Sequence, residues 1–170
     1  MKASMHIQRN FCGISIAAAA LAAAAPSAVA QEITFTSPCS IVGNAAPEPL
    51  GDREGHAIFI EEDICRFDSG PFAGGVMTAS STWEFDKTNA VLVSSSAVFR
   101  KPGAIAVGQL TEGKIALTMT DGKVTGVTSW ARGNWPITTG SAASLAGRSF
   151  TATGKDAGPG QFVLEYKVAQ

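Results

Sequence analysis

KIALTMTDGKVTGVTSW, residues 114–130, specifies its own geometry. Asp121-Gly122 lies between two alternating runs, and that dipeptide suits a type I′ turn, whose two central residues both need φ > 0. A two-residue loop sets a register. Thr120 faces Lys123, Met119 faces Val124, Leu117 faces Gly126 and Ile115 faces Thr128, with Trp130 next along that face. The other face pairs Thr118 with Thr125 and Ala116 with Val127. One mostly apolar and one mixed face suit an antiparallel sheet with a single buried side.

Working outward, the chain reads as more of the same. EITFTS, residues 32–37, alternates and is expected to end at Pro38. Residues 40–55, with Pro47-Glu48-Pro49, have no period and are expected to form a loop. HAIFIEEDICRF, residues 56–67, is a strand with an acidic interruption. His56, Ile58, Ile60, Glu62, Ile64 and Arg66 share one parity; Ala57, Phe59, Glu61, Asp63, Cys65 and Phe67 share the other. A β-bulge near Glu61 to Asp63, or a barrel lumen that tolerates polar groups, would accommodate it. Strands follow over residues 76–85, 90–100, 104–110, 148–153 and 162–168, with links at Thr111-Glu112-Gly113 and across residues 154–160. Residues 131–147 are less regular. Even spacing, hairpin-type links and no helical period predict an all-β antiparallel meander closed as a β-barrel of about eight strands, with a β-sandwich as the alternative. Closure favours the barrel, because it removes the edges.

Residues 1–30 carry Lys2 and Arg9 ahead of an apolar, alanine-rich run, and end in Ala28-Val29-Ala30, the small-x-small pattern of a secretory signal. The run is shorter than the ~20 residues a membrane span needs. The expected mature chain, residues 31–170, is one barrel domain that is periplasmic or secreted, with no membrane span. It has 11 basic and 14 acidic residues, a net charge of −3, with the bases scattered, so no footprint for nucleic acid is present. Cys12 leaves with the signal. Cys39 and Cys65 remain and are expected to pair as a disulfide in an exported chain.

The motifs of phosphate, dinucleotide and zinc-protease chemistry are absent, as is GxSxG. With His56 as the one histidine after residue 30, neither a metal nor a cofactor is expected. A polar constellation remains: His56, Glu62 and Arg66 on one parity, with Trp83, Trp130, Trp135 and Tyr166 elsewhere in the sheet. Facing a lumen, a carboxylate and a guanidinium among apolar walls would orient a ligand. Facing water, they would do nothing beyond solvating a strand end. His56, Glu62, Arg66, Trp83, Trp130 and Tyr166 are the candidate ligand-binding residues.

ITTGSAASLAGRSFTATG, residues 137–154, followed by FVLEYKV, resembles the glycine-punctuated segment of the allene oxide cyclase and dirigent barrels. Gly140 stands alone where that pattern doubles its glycine, and the resemblance carries over no catalytic residue. It implies an eight-stranded barrel with a central apolar cavity, in families that cyclise or orient small hydrophobic molecules.

The sequence therefore points to an exported barrel that binds a small apolar molecule. A cofactor-independent cyclase or isomerase is the first alternative, and an envelope or adhesion interaction module using the outer face is the second. Gly122→Val places a β-branched residue where φ > 0 is required and should lower stability by about 1–3 kcal/mol in denaturant melts. A neutral result would exclude the type I′ turn.

Overall fold

The computed structural model describes residues 32–43 and 46–169; the segment read as an export signal lies outside them. Its strands are β1 (Ile33–Val42), β2 (Glu48–Pro49), β3 (His56–Phe67), β4 (Gly75–Asp86), β5 (Asn89–Lys101), β6 (Ala104–Thr120), β7 (Lys123–Thr138), β8 (Ser149–Gly158) and β9 (Gln161–Val168). Neighbours pair antiparallel in the order β1-β9-β8-β7-β6-β5-β4-β3-β2, and β1 also pairs with β3. That pairing closes eight strands into a barrel, with β2 as an extra strand laid on the first half of β3. The barrel, and not the sandwich, is the architecture.

One end is plugged. Two short 3-10 turns, Gly70–Phe72 and Gly140–Leu145, fold inward and bury Phe72, Ala142 and Leu145. Phe72 packs on Phe35, Phe67, Phe99 and Trp135, with ring centroids 4.7 to 6.5 Å apart, separations at which offset and edge-on ring pairs attract.

The central hairpin turns as expected: Asp121 and Gly122 have φ of 51° and 74°. Its register does not hold. Met119 faces Val124, but Thr118 faces Gly126, so Thr125 is an extra residue in β7. The Thr125 hydroxyl donates to the Thr118 carbonyl at 3.3 Å, anchoring this bulge. From there to Glu112 opposite Arg132 the pairs slide by one: Leu117 faces Val127, Ile115 faces Ser129 and Lys114 faces Trp130. Because side chains alternate with period two, one inserted residue exchanges the faces. Trp130 is thereby moved off the face of Ile115.

Three boundaries also differ. β6 runs unbroken through Thr111-Glu112-Gly113, because Gly113 serves a contact and not a turn. A Cβ there would lie 2.9 Å from the Trp83 ring, so the missing side chain lets the indole lie against the β6 backbone. β7 continues to Thr138 and β8 to Gly158, leaving Pro159-Gly160 as the turn.

Pro38 does not end β1. Cys39 faces Cys65 across the β1–β3 seam, and the two are joined as a disulfide with Cα atoms 4.0 Å apart. That spacing marks a non-hydrogen-bonded pair, so the next pair, Pro38 opposite Arg66, is the one that exchanges ladder bonds. Proline has no N–H to give. The fully buried Ser37 hydroxyl donates to the Arg66 carbonyl at 2.5 Å in its place. Ser37→Ala leaves that carbonyl without a donor and should cost about 1–3 kcal/mol. Thr36→Ala, on the exposed face next door, should cost far less; equal losses in denaturant melts would remove Ser37 from this role.

Candidate ligand site in the barrel lumen

The lumen is reached from the end opposite the plug, where β3, β7 and β9 begin and β6 and β8 end. An outer chamber of ≈ 290 Å³ is walled by Phe59, Phe85, Ile115, Leu117 and Val127 among others, with Lys155 and Asp156 at its rim. An inner chamber of ≈ 70 Å³ lies deeper, against Met77, Ala97, Phe99, Phe150 and Tyr166. Glu61, Trp83, Ser129 and Phe162 line both chambers and form the neck. The walls are mostly apolar, with a few polar groups converging at the neck and just below it, the make-up of a small-molecule pocket.

The two carboxyls come from β3. On this strand the inward parity is that of Phe59, Glu61, Asp63, Cys65 and Phe67; Ile60, Glu62, Ile64 and Arg66 point outward and are exposed. The aromatic rings of β3 fill the small barrel, while its isoleucines, Glu62 and Arg66 take the outer surface. Glu61 and Asp63 are two residues apart, about 6.6 Å along the strand, and share its inward face.

Glu61 Oε1 accepts a hydrogen bond from Trp83 Nε1 at 2.8 Å. Asp63 is only 7% exposed, and its Oδ1 has no hydrogen-bond partner among the described residues. Burial pushes the Asp63 carboxyl up to about 8, and the neighbouring Glu61 charge adds to the shift. The order of those causes is physical: at ~6.6 Å and an effective dielectric of ~20, two like charges repel by about 2.5 kcal/mol, and losing water costs a buried ion more. Burial also raises Glu61, against the opposing bond from Trp83. Tyr166, fully buried and stacked on Phe35 at 4.8 Å, holds its proton well above the usual tyrosine range, through burial and then the Asp63 charge. Its hydroxyl donates to Met77 Sδ at 3.5 Å.

Of the sequence candidates, Trp83 and Tyr166 line the lumen. Glu62 and Arg66 lie on the outer face, which corrects the parity taken for that constellation. Trp130 is also outside, with the Arg132 guanidinium 5.7 Å from its ring centroid, as the Thr125 bulge dictates. Trp135 is buried near the plug on Phe150, 4.4 Å between centroids. His56 is buried, but at the outer edge of β3 and away from both chambers. Protonated, it donates from Nδ1 to Asp52 Oδ1 at 2.5 Å and from Nε2 to Glu84 Oε1 at 2.9 Å. The bond to Asp52, then that to Glu84, raises the histidine. This trio ties the loop before β3 to β4.

Glu61 and Asp63 are the residues that sequence reasoning passed over. Their signal was parity: they alternate with Phe59, Cys65 and Phe67, three side chains that belong inside. Among the described residues no group of three or more His, Cys, Asp or Glu is arranged to hold a metal ion, and no helix is long and apolar enough to cross a membrane. Comparison with protein-family models and with curated proteins finds no match for this chain, so its functional reading rests on the site itself.

The raised Asp63 pKa makes stability depend on pH. Between about 4 and 8 the unfolded chain has released this proton while the folded chain keeps it, so stability falls as pH rises across that window. His56 and Glu61 tilt the profile the same way, so the variant must isolate Asp63. Asp63→Asn should raise the melting temperature at pH 8 more than at pH 5; an equal change at both would show an ordinary, solvated carboxyl.

Proposed function

We propose that this protein binds a small, largely apolar molecule non-covalently in the barrel lumen, and that it does so in the periplasm or outside the cell. The observation that carries this reading is the lumen's make-up: apolar walls, access from one end, and a buried Asp63 oxygen without a hydrogen-bond partner among the described residues. A buried polar atom without a partner costs about 1–3 kcal/mol, and a ligand group would recover that cost. The Cys39–Cys65 disulfide supports the oxidising location, since such bonds persist outside the reducing cytosol.

A cofactor-independent isomerase or cyclase is the second reading. It is favoured by one observation, a carboxyl that keeps its proton at neutral pH inside an apolar cavity, where a proton donor is held ready for transfer. Turnover of a bound molecule separates the two. The envelope-module alternative would use the exposed Ile60, Val91 and Val93 of the outer face and needs no lumen at all.

Binding is tested by tryptophan fluorescence against a panel of apolar molecules, because Trp83 lies at the neck. Ala97→Phe fills the inner chamber and should weaken binding by about tenfold or more, ~1.4 kcal/mol. Arg66→Leu, on the outer face, should leave binding unchanged. No binding by the wild type, or equal binding by both variants, would move the function to the outer surface.

A further inference from the structure

The inner half of the lumen is electrostatically one-sided. Glu61 and Asp63 from β3 and Tyr166 from β9 are the titratable groups that face it, and no Lys, Arg or His is among its lining residues. The nearest cation on the lumen wall is Lys155, at the rim of the outer chamber beside Asp156. Glu61 takes one hydrogen bond from Trp83, and Asp63 Oδ1 takes none. A buried and a half-buried carboxyl are thus left with acceptor capacity that no side chain among the described residues fills.

Their spacing is informative. Glu61 and Asp63 stand two residues apart on one face of β3, their backbone positions about 6.6 Å apart, so both carboxyls project into the same chamber and one nitrogen placed between them can donate to both. The surrounding wall is aromatic: Trp83, Phe99, Phe150, Phe162 and Tyr166 present ring surface to the chambers, and ring faces attract a desolvated cation. The outer chamber adds Phe59 and Phe85 to aliphatic walls from Ile115, Leu117 and Val127, room for an apolar body.

We propose that the ligand is an apolar monoamine, a hydrocarbon or aryl body in the outer chamber with a protonated nitrogen seated between Glu61 and Asp63. This deepens the lumen-binding reading and rests on it. The ammonium supplies the counter-charge that β3 lacks, and its N–H groups satisfy Asp63 Oδ1 and the free oxygen of Glu61. An anionic head is repelled, and a hydroxyl head provides one donor for two acceptors. Since Asp63 alone holds its proton at pH 7, with a pKa of about 8, seating a cation beside it drives that proton off. Binding then releases up to one proton per chain.

Three probes with one body and different heads decide this: decylamine, decanol and decanoate, each titrated calorimetrically into the oxidised protein at pH 7 in two buffers of different ionisation enthalpy. The amine should bind about tenfold or more tighter than the alcohol, the carboxylate should bind weakest, and only the amine should release protons. Asp63→Asn and Glu61→Gln should each reduce the amine's affinity to that of decanol in the same variant, whereas Arg66→Leu, on the outer face, should leave the amine's advantage intact. Amine and alcohol binding equally, or the amine releasing no protons, would overturn the amine inference and leave the apolar lumen standing. If none of the three binds, the lumen reading falls and the inference falls with it.

Discussion

The short ladder between β1 and β3 is the constraint on which the molecule depends. Cys39 faces Cys65 and the pairing runs on to Val42 opposite Glu62; without it the sheet would be open, with two free edges. The disulfide sits within that ladder and pins its register, while Ser37 repairs the one place where proline breaks it. A slip of one residue would turn Glu61 and Asp63 outward and Glu62 and Arg66 inward. What the lumen contains is therefore decided at the seam.

Closure then divides the interior by chemistry. Toward the plug, Phe72 of the first 3-10 turn and rings from six of the strands pack against one another, with Ala142 and Leu145 of the second turn among them. Toward the mouth the walls separate and leave room. Between the two stand Glu61 and Asp63, in a position that costs stability unless something binds them. Barrels of this size are normally filled by side chains or hold one small ligand. Here the filled half holds Asp63 away from water, and the open half leaves room beside it for the proposed ligand.

Most of the fold was legible because its signals are local. Alternation located most of the strands, Asp121-Gly122 located the sharpest turn, and Cys39 and Cys65, the two cysteines beyond the expected signal, left one disulfide to form. The site was less legible, because it depends on parity, and parity on β3 was ambiguous: isoleucines on one side and aromatics on the other are both apolar. The deciding fact, that Cys65 must meet Cys39 on the inside of a closed barrel, is a tertiary one. Trp130 was misplaced for a related reason: the extra residue at Thr125 lies inside an alternating run, and Gly126 beside it, the one letter that marks a bulge, was read as an ordinary strand position. Gly113 looked like a turn because a glycine beneath an indole and a glycine in a loop are the same letter. Trp83 and Tyr166, in strands without such interruptions, were placed among the ligand candidates and do line the lumen.

The central claim is that the lumen carries a small molecule against the β3 carboxyls. Native mass spectrometry of the protein purified from its source cells under non-denaturing conditions tests it most directly, alongside Ala97→Phe produced in the same way. The account predicts one small molecule per wild-type chain, hydrocarbon-rich and with basic nitrogen in its released mass, and its loss from the variant. A bare wild-type mass, or a small molecule retained equally by the variant with the filled chamber, would contradict it.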